Sequence, residues 1–165
     1  STFFLPTFDD SAWQSGRESF GYGDTVEVKF ATPAKGERKT AYFRHRFTTQ
    51  QTFDDLILAI RHDDGVIVYV DGVEVRRCNM VQSAEAYEQF ADHDAVDALE
   101  HWRGFYQLPV QIDPGEHVIA ISLHNSDADS DDLRVAEISL WGTPKVADRS
   151  ADRSGNTIEL GYKDD

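Results

Sequence analysis

Aromatic and polar residues that could bind a sugar are concentrated in one segment, between Arg76 and Tyr106. Sugar recognition needs a flat ring against which the C–H face of a pyranose packs, and planar polar groups that bridge neighbouring hydroxyls. The ring candidates are Trp102, Tyr106 and Tyr87, and the polar candidates are Arg76, Asn79, Asp92 and Arg103. The alternative is that Trp102 and Tyr106 anchor a long loop onto the fold.

Two further polar sequences fall where strands are predicted to end. Asp63 and Asp64 are adjacent carboxylates, which repel each other unless a cation, an arginine or backbone N–H groups stabilise them. Asp64 could therefore lie in a ligand or metal shell, or the pair could form an Asx turn and an ion pair with Arg61. His124 and Asn125, at the end of another strand, are candidates for polar contacts to a ligand.

An acidic loop has the alternate spacing that begins many calcium-binding loops, because a hard cation needs several oxygens from one turn. Its aspartates are Asp127, Asp129, Asp131 and Asp132. An EF-hand is excluded, since its glycine position is occupied by Asp132 and its terminal glutamate position by Ile138. A looser calcium site and a solvated acidic loop both remain open.

The sequence contains none of the familiar catalytic motifs. There is no G-x-S-x-G, no glycine-rich phosphate loop, and no pair of histidines at metal-ligand spacing. Cys78 is interpreted as a small buried hydrophobe rather than a nucleophile. An enzyme that uses two of the carboxylates is the least favoured alternative. This ranking rests on the prevalence of such modules, because a catalytic pair cannot be recognised among 30 carboxylates.

The elements that must position these residues are predicted to be strands, because β-branched and aromatic stretches alternate with Gly, Pro, Asp and Asn. Asp71-Gly72 predicts a two-residue hairpin, and Asp113-Pro114-Gly115 predicts a turn before the next strand. The apolar run at 116–124 indicates a strand covered on both faces. The predicted strands are 25–30, 41–48, 55–61, 65–70, 73–77, 105–112, 116–124 and 133–141.

Two regions depart from the strand pattern. Residues 83–100 carry apolar residues at helical spacing after Ser83, which predicts a short helix in a long loop. Residues 143–165 contain a tandem ADRS sequence, which predicts a polar linker or a docked C-terminal tail. Residues 1–142 are therefore expected to form one all-β domain, an antiparallel β-sandwich of the jelly-roll type.

Composition narrows the range of partners. The chain has 165 residues, with 30 Asp and Glu against 16 Lys and Arg, and a formal charge of −14. Such a chain repels polyanions, so nucleic acid and anionic bilayers are disfavoured as partners. The single cysteine allows no internal disulfide, and no apolar run or basic leader predicts a membrane span or a signal peptide.

The order of the motifs resembles the galactose-binding-like jelly-roll modules of secreted bacterial multidomain proteins. It is also similar to the sugar-binding amino-terminal domain of β-galactosidase and β-glucuronidase type glycoside hydrolases. The resemblance covers about residues 6–142 and is specific only as a set. The motifs are FDDSAW at 8–13, FGYGD at 20–24, TAYFR at 40–44, RHDDGVIVYVDG at 61–72, NM at 79–80, HVIAISLH at 117–124 and SDDL at 130–133.

This resemblance implies a noncatalytic, extracellular carbohydrate-binding module attached to a larger protein or enzyme. The alternative is a calcium-stabilised structural, adhesion or protein-interaction domain. The resemblance also implies a structural calcium, whose ligands here would be Asp9 or Asp10, backbone carbonyls around residues 17–19 and the carboxylate of Glu137. The chain departs from the pattern in its longer loop at 81–104, and in Asp71, where the hairpin usually carries Asn.

Overall fold

A computed structural model describes residues 2–17, 19–23, 28–29, 40–81, 89–93, 102–130 and 132–145. These residues form nine strands and no helix, which confirms the all-β prediction. The strands are β1 (Phe20–Tyr22), β2 (Val28–Lys29), β3 (Thr40–Thr49), β4 (Phe53–Asp63), β5 (Gly65–Val70), β6 (Val73–Cys78), β7 (Trp102–Gln107), β8 (Gly115–His124) and β9 (Leu133–Pro144).

The strands form two sheets that pack face to face as a β-sandwich. The five-stranded sheet has the order β2-β1-β9-β4-β7, and the four-stranded sheet has the order β3-β8-β5-β6. All pairings are antiparallel except that between β1 and β2. Inward-facing side chains of both sheets form the main core, in which Leu58, Ile60, Val66, Val68 and Leu123 are completely buried. This burial is the main source of fold stability.

The hairpin prediction is confirmed. Val70 pairs with Val73, and Asp71 and Gly72 between them have φ of 50° and 87°, as a type I′ turn requires. The prediction that residues 116–124 are covered on both faces is also confirmed, because β8 is buried from Val118 to its end.

The predicted strand at 105–112 is wrong in its extent. The strand starts earlier, at Trp102, and ends at Gln107, while Ile112 forms only an isolated bridge with Phe53. Pro109 lies in the part that is not a strand, and proline has no N–H to donate to a ladder. β1 was not predicted because three residues are too few for a periodic signal.

Residues 2–17 cover the outer face of the four-stranded sheet. Phe3 is buried in a second apolar cluster with Tyr69 and Ala120, and Phe8 and Trp13 pack at its margin. The outer face of the five-stranded sheet, in contrast, exposes Phe105 and Ile57.

The predicted helix at 83–100 and most of the predicted tail at 143–165 lie outside the described residues, apart from short pieces at 89–93 and 143–145. Within the described residues, no helix has the length and apolar character needed to span a membrane.

Candidate functional site

The outer face of the five-stranded sheet carries a stacked pair of aromatic rings, one exposed and one half-buried. Phe105 lies on β7 and Trp141 on β9, with ring centroids 6.0 Å apart and planes 20° from parallel. Phe105 is 61% exposed, the largest exposure among the exposed large hydrophobic residues of the described structure. Most of this ring is in contact with solvent.

Strand β4 lies between β7 and β9, so its side chains determine how closely the Phe105 and Trp141 rings approach each other. Ala59 pairs with Phe105 on one side and with Ser139 on the other, while Ile57 pairs with Trp141. Leu58 belongs to the main core, so the adjacent Ala59 points outward, yet Ala59 is only 1% exposed. The small side chain of Ala59 lets the two rings close over it. We call Ile57, Ala59, Phe105 and Trp141 the aromatic face.

Two β-bulges bound the aromatic face. The pairing of β4 with β9 shifts between Asp54 and Ile57 and again between Ala59 and Arg61. Each bulge contains an acidic residue in the left-handed region, Asp55 and Glu137, both with φ of 51°. Bulges redirect side chains, and the left-handed region costs about 1 kcal/mol for residues other than glycine.

Polar contacts fix both bulge carboxylates on the outer side of the sheet. At one end, Gln107 Nε2 donates to Asp55 Oδ1 over 3.4 Å. At the other end, Arg61 Nη1 lies 3.4 Å from Glu137 Oε1, and both side chains are about one-third exposed or more. The aromatic face is therefore flanked along β4 by an amide with a carboxylate and by an ion pair.

Of the sequence-predicted sugar ligands, Tyr106 and Arg76 lie at the side of the sandwich where β6 and β7 face each other. The Arg76 guanidinium lies 3.9 Å from the centre of the Tyr106 ring and donates to Cys78 Sγ over 3.2 Å. Burial and the neighbouring Cys78 raise the pKa of Tyr106 to about 12. Because Arg76 covers this ring, the contact joins the two sheets and supplies no open platform, which matches the anchoring alternative for Tyr106. Trp102 and Arg103 share this strand, but their side chains lie outside the description.

Asp64, His124 and Asn125 form a buried polar network at one end of the sandwich, with exposures of 1%, 0% and 2%. Asp64 Oδ2 accepts from the Ser126 N–H over 2.6 Å, and Asn125 Nδ2 donates to the Tyr22 hydroxyl over 2.7 Å. These partners lie within the chain, so the contacts tie together the turn after β4 and the loop after β8.

The histidines of this network are held neutral. His124 Nδ1 donates to the Gln89 carbonyl over 2.9 Å, which leaves Nε2 to accept from the Ser122 hydroxyl over 3.0 Å. Burial lowers the pKa of His124 to about 4 and also lowers the pKa of His62. His62 donates from Nδ1 to the Asp64 carbonyl over 2.9 Å.

Asn79 closes the base of the long loop. Its side-chain amide donates to the His93 carbonyl over 2.8 Å, and its Oδ1 accepts from the His93 N–H over 3.1 Å. Asp92 N–H donates to the Asn79 carbonyl over 3.1 Å. The contacts of Asn79 are thus structural in the described residues.

The proposed calcium ligands are not brought together. Asp10 pairs with Arg44 of the four-stranded sheet at 2.6 Å, whereas Glu137 pairs with Arg61 of the five-stranded sheet. Burial opposes ionisation of Asp10, but the hydrogen bond and charge of Arg44 lower its pKa overall. Asp9 Oδ1 accepts from the Ser11 N–H, as in an Asx turn. Within the described ranges, no group of three His, Cys, Asp or Glu side chains is placed to hold a metal ion.

The acidic loop at 127–132 contains local turns in its described part. Asp127 Oδ1 accepts from the Asp129 N–H over 2.6 Å, and Ser130 Oγ donates to the Asp132 carbonyl over 3.1 Å. Asp131 lies outside the described residues.

Sequence reasoning did not identify the aromatic face. It did not consider Phe105 as a ligand, although strand alternation places Phe105 on the opposite side of β7 from Tyr106. Alternation alone could have suggested an outward ring. That the ring meets Trp141 follows only from the pairing of β4 with both β7 and β9.

Comparison of the chain with protein-family models, with curated proteins and with solved structures gives no match in any of the three. Among the described residues, the chain is an antiparallel β-sandwich with one outer sheet face covered by residues 2–17 and another that exposes Phe105 and Ile57.

Proposed function

We propose that this chain is a noncatalytic carbohydrate-binding module that attaches a larger extracellular protein or enzyme to a neutral polysaccharide. The observation that carries the proposal is the stacked Phe105–Trp141 pair on the outer face of the five-stranded sheet, in which Phe105 is exposed and Trp141 is half-buried. The other domains of such a protein would supply any catalysis.

The chemistry of the face matches a sugar better than an ionic ligand. The ring of Phe105 offers an apolar surface to pyranose C–H groups, and nearby carboxylate and amide oxygens accept hydroxyl protons. The formal charge of −14 disfavours polyanions but has no such effect on a neutral glycan. An extended polysaccharide can also lie along an open sheet face.

The proposal is tested by affinity electrophoresis in gels that contain a panel of neutral polysaccharides. The wild-type protein is expected to be retarded by at least one of them, and Phe105→Ala to lose most of this retardation. Val73→Ala is the matched control, because Val73 is 57% exposed but lies on the other sheet. Thermal unfolding confirms that each variant folds. An absence of retardation on every polysaccharide would reject the proposal.

A protein-interaction domain is the second candidate, and the apolar character of the same face favours it. Ile57, 41% exposed, extends the surface beside Phe105, and exposed apolar patches often mark protein interfaces. In this case a protein partner, and no polysaccharide, would be bound, and Phe105→Ala would abolish its recovery in a pull-down.

A further inference from the structure

We propose that the two bulge carboxylates, Asp55 and Glu137, mark the two ends of the sugar site and select neutral oligosaccharides over single sugars and uronate-containing chains. This inference rests on the proposed carbohydrate function. It assigns specificity to residues that do not belong to the aromatic face itself.

The two bulges lie at the two ends of the aromatic face. Each interrupts the β4/β9 ladder immediately beyond the aromatic face, and each places an acidic residue at φ of 51°, a conformation that these side chains adopt infrequently. Backbone strain of this kind is concentrated at functional sites. The contacts with Gln107 and Arg61 hold both carboxylates on the ligand-facing side of the sheet.

The aromatic face is longer than one sugar ring. Ile57 and Arg61 lie four residues apart on β4, which corresponds to about 13 Å along a strand. This length exceeds a single pyranose ring. A ligand that contacts both ends must therefore contain several linked sugars, aligned along β4, with its middle on Phe105 and Trp141.

The charged groups at the two ends of the face affect which sugars can bind. A carboxylate accepts two hydroxyl protons and is well suited to vicinal hydroxyls of a neutral sugar, but it repels a uronate. The repulsion is expected at the Asp55 end, where the carboxylate contacts the uncharged Gln107 amide, because Glu137 and Arg61 neutralise each other at the opposite end. Removal of the Glu137 charge would leave Arg61 to attract an acidic sugar.

The test is calorimetric titration with neutral oligosaccharides of increasing length and with a uronate-containing oligosaccharide of matched length. The neutral series is taken from whichever polysaccharide retards the wild-type protein. Affinity is expected to rise at least about tenfold from one sugar to the length that spans both ends. Asp55→Asn and Glu137→Gln are each expected to weaken neutral binding by about tenfold. Glu137→Gln is further expected to improve uronate binding relative to neutral binding.

Glu116→Gln is the control, since Glu116 is an exposed glutamate on β8 of the other sheet. If neutral binding depends on Phe105 but is unchanged by both carboxylate variants, the assignment of Asp55 and Glu137 fails and the carbohydrate function stands. If the wild-type protein binds no glycan, or Phe105→Ala binds normally, the proposed function at this face fails as well.

Discussion

Ala59 is the residue on which the geometry of the aromatic face depends. It pairs with Phe105 on β7 and with Ser139 on β9, two residues before Trp141, and it is only 1% exposed although it alternates with core residues. A larger residue at this position would hold the two rings apart.

We therefore expect Ala59→Leu to weaken glycan binding by about tenfold, equivalent to about 1.4 kcal/mol. The free energy of unfolding should fall by only about 1 kcal/mol, because the displaced rings can move into solvent and relieve most of the overpacking. Calorimetric titration and urea unfolding measure the two effects, with Val73→Leu on the other sheet as the control. Unchanged affinity in Ala59→Leu would show that the arrangement of the rings does not matter.

The hydrogen bonds of His124 stabilise the fold. Its neutral ring contacts Gln89 and Thr40 through Nδ1 and Ser122 through Nε2, and protonation would place a charge on a fully buried side chain. The folded-state pKa of about 4 lies below the ordinary value of 6.5, so the unfolded state binds more protons between these values. The associated stability is present above pH 6.5 and is lost as the pH falls towards 4.

We expect acidification from pH 6.5 to 4 to remove about 3 kcal/mol through His124 alone. His62 and His45, whose pKa values are lowered by burial, act in the same direction. The loss with pH should be smaller in His124→Gln, measured by urea unfolding. NMR should show a neutral His124 ring with the proton on Nδ1 at pH 5.5, and an imidazolium at that pH would contradict this account.

At the scale of elements, the segment at 2–17 is fastened to β3 by arginines. Arg44, whose side chain is 2% exposed, donates to the carbonyls of Phe3 and Leu5 and pairs with Asp10. Arg46, 54% exposed, makes longer contacts with the same segment. Burial makes the Arg44 contacts the stronger ones.

Arg44→Met is expected to lower the free energy of unfolding by about 3 kcal/mol, because it removes one partner of a largely buried ion pair. It should also release residues 2–17, which limited proteolysis would detect as early cleavage in this segment. Arg46→Met on the same strand is the matched control and should cost about 1 kcal/mol or less. Equal effects of the two substitutions would refute the anchoring role of Arg44.

The strands themselves were largely predictable because their signals are local. The Asp71-Gly72 turn and the alternation around it predicted β5 and β6 to within one residue. The aromatic face was not predictable in this way. Phe105, Ala59 and Trp141 come from three separated strands, and their meeting depends on register and on two bulges that sequence periodicity does not encode. Asp64, His124 and Asn125 at the strand ends were candidates for ligand contacts, and in the described structure they are buried with partners inside the chain.

At the scale of the whole molecule, the sandwich has one outer face covered by its own chain and one that remains exposed. Despite the formal charge of −14, no three His, Cys, Asp or Glu side chains among the residues that the structure describes are placed to hold a metal ion. Calcium bound through Asp9, Asp10 and Glu137 remains a prediction, and it competes with two arginine pairs that already neutralise Asp10 and Glu137.

If the arginine pairs suffice, the melting temperature in excess EDTA should equal that in millimolar calcium, as measured by calorimetry. A ligand bound only by the folded state would raise the melting temperature with its concentration. A calcium-dependent increase that disappears in Asp10→Asn would instead support the predicted metal site.

The most direct test of the proposed function is an NMR titration of the wild-type protein with a soluble oligosaccharide from the polysaccharide that retards it. Binding at the aromatic face predicts that the indole N–H signal of Trp141 and the backbone signals of Ile57 and Ser139 shift in a saturable manner. The indole of Trp13 and the side-chain amide of Asn79 should stay unchanged. Shifts confined to Asn79 and His93 at the loop end, or no shifts at all, would contradict binding at this face.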